Sequence, residues 1–216
     1  MTMFVPFPAT RRVFLGGLGA AAFSGLARPA FALPLSPAGK KLAAALDALE
    51  VEKHWIAGAH VDWETGDPDG RPLAGEGKHT HCSAFVAAAA KRLGVYILRP
   101  PEHGQTLLAN AQFDWLLGEG PAAGWRGIGD PLSAQDFANR GQLVVASYQN
   151  HYENLPGHIA IVRPDAKPDP LVVEEGPQVI QAGARNSSSI SMREGFAGHP
   201  AAWSRQEARF FTHPLK

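Results

Sequence analysis

The second half of the chain holds four short apolar runs set between turn residues. They are QLVVASY (Gln142–Tyr148), GHIAIVRP (Gly157–Pro164), PQVIQAG (Pro177–Gly183) and ARFFTHP (Ala208–Pro214). β-Branched and aromatic residues bounded by Gly, Pro and Asn read as strands. The first half carries helical spacing instead. Leu42, Ala45, Leu46 and Leu49 repeat at i, i+3, i+4 and i+7, which predicts a helix from Pro37 to Lys53 with Ser36 as its N-cap. Cys82, Phe85, Val86, Ala89, Ala90 and Leu93 share one face of a second helix, with Thr80 placed to cap it and Gly94 to stop it. A third is expected over Gln105–Leu117, and a short fourth over SAQDFANRG with Ser133 as its cap. Helices first and strands later predict an α+β domain whose helices pack on an antiparallel sheet of about four to six strands. Residues 56–80, rich in Gly, Pro and Asp, form a long irregular connection, and connections of that length commonly carry function.

Twenty basic residues balance twenty acidic ones, and no basic cluster lies beyond the N-terminus, so binding nucleic acid by phosphate neutralisation is excluded. At the N-terminus, Arg11 and Arg12 precede an apolar Gly/Ala-rich stretch, and Ala30 and Ala32 follow in an A-x-A arrangement. That order of charge, apolar run and small residues is an export signal, here residues 1–32, and Thr-Arg-Arg-Val-Phe-Leu resembles the twin-arginine type. The apolar run is too short to span a bilayer, so no stable membrane insertion is expected once the signal is removed, with a membrane anchor as the alternative reading of the segment. The remaining residues, 33–216, show no repeat or linker and read as a single domain of a bacterial periplasmic or otherwise exported protein.

Export sharpens the meaning of the single cysteine, Cys82. One thiol cannot form an intrachain bridge, so in an oxidising compartment it is either buried packing or kept for its reactivity. At a helix N-terminus its pKa is expected to fall, giving thiolate near neutral pH. A nucleophilic thiol needs a histidine base, and the base needs an orienting partner. His158 opens the strand GHIAIV, where it can point off the sheet. If Val162 pairs near Gln178, His158 falls opposite about Ala182 and Gln181 lies within one residue of facing it. A one-residue slip reverses the face. Asn186 is the competing orienter.

HCSAFVAAAAKRLGV, then GHIAIV, then a strand with one polar residue, resembles the NlpC-type and CHAP papain-like cysteine peptidases and amidases. The resemblance runs from about Thr80 to Gly183. It implies a papain-like fold, Cys82 as nucleophile, His158 as base and Gln181 as the polar third residue, with no cofactor. It also implies a substrate amide in peptidoglycan stem peptide or a related peptide or N-acyl compound, cleaved through a thioester, with the Cys82 N–H facing the oxyanion. This chain departs from the family in having His81 where Asp or Asn often precedes the cysteine, and in using Gln181 where His, Asn or Glu is commoner. Asp62, Trp63, His81 and Asn186 are the candidate substrate contacts, with Trp115 and Trp125 as further cleft walls.

Two rival readings remain at this level. His79, His81 and Cys82, with His158 as a fourth ligand, offer donors suited to Zn or Cu. A wall-binding protein on the same fold would keep the surface without the chemistry. His60, His103, His151, His199 and His213 carry no pattern of their own.

Overall fold

The computed structural model describes residues 34–73 and 79–216, so the export-signal reading of residues 1–32 lies outside the described residues. Strands β2 (Leu143–Tyr148) and β3 (His158–Val162) are buried at every position, as strands are when helices cover both faces of a sheet. They form the centre of a six-stranded sheet with β1 (Arg126–Ile128), β4 (Gln178–Gln181), β5 (Ser187–Ser191) and β6 (Arg209–His213). The spatial order is β1-β6-β2-β3-β4-β5, and every neighbouring pair is antiparallel. The architecture is therefore α+β with an open antiparallel sheet.

Alternation along the strands sends Val145, Ile159, Ile161 and Ile180 to one face, where α2 (Cys82–Arg92) packs. Val144, Ala146, Ala160, Val162 and Val179 face the other way, toward α4 (Pro131–Asn139) and the segment that contains α6 (Met192–Gly195) and α7 (Pro200–Ser204). Helix α2 is buried from Cys82 through Ala90. Its alanines let the backbone come close to the sheet, while Phe85 fills the space beneath Trp55, ring to ring at 5.3 Å. Burying a ring of that size contributes about 1.5–3 kcal/mol. Lys91 and Arg92 complement the dipole in the last turn, and Gly94 (φ +73) provides the left-handed stop.

Helix α1 (Pro37–Asp47) is capped by Ser36, whose hydroxyl accepts from the Gly39 N–H at 2.9 Å, but it ends at Asp47, six residues before the predicted Lys53. Three further expectations are corrected. The cap of α2 is His81 rather than Thr80, with no side-chain capping bond. The cap of α4 is Asp130, because Pro131 occupies the first helical position and Ser133 donates its N–H to the Asp130 carboxylate. Helix α3 covers Leu108–Gly118, starting three residues late because Leu107 sits in the left-handed region (φ +53). Helix α5 (Asp169–Glu175) and strands β1 and β5 were not predicted. Among the described residues no helix is long and apolar enough to cross a membrane.

Candidate active site

The first amides of α2 define one side of the site. Because His81 supplies no side-chain cap, the N–H groups of Cys82 and Ser83 are left to the Cys82 sulfur, which faces both. The sulfur also faces the N–H of Ile159, the second residue of β3. The sheet explains why that amide is available. Arg163 N–H donates to Gln178 O at 2.8 Å, so odd-numbered residues of β3 direct their N–H groups toward β4. Ile159 lies beyond the last paired residues of β3 and β4, Ile161 with Ile180 and Val162 with Val179. Its N–H therefore points out of the ladder and toward the thiol.

His158 sits one residue earlier on the same strand. The observed register pairs Val162 with Val179, not Gln178. That one-residue difference reverses the facing of every β4 side chain. It places Gln181 on the His158 face, diagonally across the two strands, and Gln181 Oε1 meets His158 Nε2 at 2.8 Å in a buried contact. The Gln181 amide is oriented by its Nε2, which donates to Arg185 O at 3.4 Å. An amide oxygen only accepts, so His158 carries its proton on Nε2 and leaves Nδ1 bare.

Gly157 and Gly195 allow this approach. A Cβ on Gly157 would collide with the Tyr148 carbonyl oxygen and lie 2.5 Å from Asn110 Oδ1; one on Gly195 would lie 2.9 Å from Gln181 Oε1. Asn110, from α3, clamps the β2–β3 connection by donating to Leu155 O at 2.9 Å and accepting from the Asn150 N–H at 3.2 Å. The start of β3 is thus fixed from a third element.

Electrostatically the resting site is neutral. Burial pushes the Cys82 thiol up despite the three amides that favour its anion. This corrects the expectation of a depressed thiol pKa: 5% exposure outweighs the helix terminus. Burial also pushes the His158 imidazole down, against the Gln181 bond that raises it. The thiol and the imidazole are thus both held neutral, and β3 links them through the Ile159 amide, one residue after His158, which faces the sulfur.

The remaining predicted residues take structural places. Asn186 does not orient His158: its Nδ2 donates to Val51 O (2.7 Å) and His54 O (2.8 Å), and its Oδ1 accepts from the Gly183 N–H. Asp62 Oδ1 closes a turn by accepting from the N–H groups of Glu64 and Thr65, each at 2.9 Å. Trp63 is half-buried against the core with Lys91 Nζ over its ring at 5.4 Å. His81 is buried, with Nε2 donating to Ala59 O at 2.9 Å, and burial lowers its pKa. Trp115 and Trp125 are core residues, not cleft walls. Among the described residues no three His, Cys, Asp or Glu side chains converge on a point that could hold a metal ion, so His79, His81 and Cys82 do not make the metal cluster their spacing suggested.

Residues that sequence reasoning missed surround His158. Phe196 meets its ring edge-on at 4.5 Å, and His199 stacks on it at 5.8 Å and 16°. Both come from the α6–α7 segment, and nothing in their local pattern marks them. No protein-family model matches this chain, and no curated protein matches it.

Proposed function

We propose that this protein is an exported cysteine hydrolase of papain-like fold, akin to the NlpC-type and CHAP enzymes, that cleaves an amide bond in peptidoglycan stem peptide or a related peptide. The observation that carries the proposal is the buried His158–Gln181 hydrogen bond, set at the end of β3 whose Ile159 amide faces the Cys82 sulfur. Gln181 is thereby the orienter, His158 the base and Cys82 the nucleophile.

The chemistry follows from the tautomer. Nδ1 of His158 takes the thiol proton as Sγ bonds to the amide carbonyl carbon. Collapse of the tetrahedral intermediate breaks the C–N bond, and the proton passes from Nδ1 to the departing amine. Water then gives a proton to Nδ1 as its oxygen attacks the thioester; the C–S bond breaks and the proton returns to sulfur. The uncapped Cys82 and Ser83 amides stand ready for developing negative charge, a type of stabilisation whose single donors are worth roughly 10²–10³ in rate. Hydrogen bonds between catalytic groups of this kind commonly tighten only with substrate bound. Arg11, Arg12 and the apolar stretch after them support export, which puts the enzyme where its substrate lies.

Digestion of purified peptidoglycan, with the products identified by mass, tests the proposal. Fragments released by the native protein and absent with Cys82→Ala are expected. A protein that sediments with peptidoglycan yet releases nothing would make it a wall-binding protein instead.

A further inference from the structure

His158 is enclosed on the sheet face away from α2. Its ring lies against Phe196, which is itself buried, and under the parallel ring of His199; Tyr148, its partner on β2, contacts His199 at 5.5 Å. His199 does not reach this position by a loose side chain. Its N–H donates to Phe196 O at 2.8 Å, its carbonyl accepts from the Ala202 N–H at 2.9 Å, and Pro200 fixes the first turn of α7 after it. His199 is half-buried, so it is the layer between solvent and His158 on this side.

We propose that His199 is a positioning residue of the active centre: stacked on His158 and backed by Phe196, it fixes the plane of the imidazole and keeps water from that face. This rests on the hydrolase reading of His158. Such a cap matters because a base that both takes and returns a proton needs a fixed direction for Nδ1, and small misplacements of reacting groups cost about 10²-fold in rate. The groups facing the stack are Tyr148 on β2, Gln181 on β4 and Phe196, with Cys82 contacting β3 from the other layer. Beyond Tyr148 lie His151, paired with Glu207 at 2.8 Å, and Arg205. His199 is held neutral, its pKa lowered to about 4 by burial and by His158, so the stack takes up one proton at a time. Gln181 accepts from His158 and not from His199, so its bond favours the protonated ring at His158.

The test is the titration of the His158 ring followed by NMR in full-length protein carrying Cys82→Ala, alongside the pH–rate profile of the unmutated enzyme on peptidoglycan. His199→Phe retains the stack and is expected to leave the His158 midpoint unmoved and kcat within about twofold. His199→Ala opens the face to water, so the His158 midpoint should rise by about half a pH unit or more, with kcat down about tenfold at constant KM. His199→Asn, which is polar but cannot stack, should behave like the alanine variant and serves if that one folds poorly. A His158 midpoint unchanged in His199→Ala or His199→Asn overturns the cap. Because that titration is read without turnover, it decides the cap even if peptidoglycan is left intact, an outcome that would sink the hydrolase reading alone.

Discussion

Cys82 and His158 are readable as residues because each sits where an element begins. A thiol at a helix start and a histidine at a strand start are positional facts, and position survives translation into three dimensions. Protonation did not survive it. The helix terminus argued for thiolate, but the energy of burying a charge is set by neighbours distant in sequence, here the sheet beneath α2. The consequence is measurable. Alkylation of native Cys82 by iodoacetamide should be slower at pH 7 than that of a free thiol, accelerate beyond the ordinary thiol range as pH rises, and fall about tenfold in His158→Ala. A thiol inert at every pH in folded protein would count against a nucleophile. Gln181 shows the other limit. Its partnership with His158 depends on a register that one residue of slip would reverse, and local pattern carries no such precision.

At the scale of elements, the four runs with alternating or continuous apolar residues became β2, β3, β4 and β6, since burial on two faces leaves a direct trace in composition. Strand β5 left none: SSSIS forms because Gln178 to Gln181 offers it a ladder, not because serine favours strands. The β2–β3 connection is likewise governed from outside, by Asn110. Removing that clamp in Asn110→Ala leaves the Asn150 N–H and Leu155 carbonyl without their partner. A loss of about 1–3 kcal/mol in denaturant unfolding is expected, together with lower activity as Gly157 and His158 drift. Unchanged stability would mean the connection holds itself.

Across the molecule, burial lowers the pKa of three imidazoles among the described residues: His81, His158 and His199. In the unfolded chain each binds a proton near pH 6.5, whereas folded His199 binds one only near pH 4. The unfolded state thus holds more protons in that window, and stability present above pH 6.5 is lost as pH falls toward 4. Thermal melts between pH 7.5 and 4.5 should show a falling Tm, with a shallower fall in His199→Phe. A flat profile would mean these rings are solvated in the native state.

The sheet separates what the proposed chemistry needs joined. Cys82 arrives with the helical layer on one side, the cover of His158 with the layer on the other, and β3 carries both His158 and the amide that faces the thiol. Under the proposed function, a chain with only one layer in place would own a nucleophile without a poised base, or the reverse. Under the proposed hydrolase function, competence would be a coincidence detector for complete folding, and a nascent or damaged molecule would stay harmless to its surroundings until both layers close.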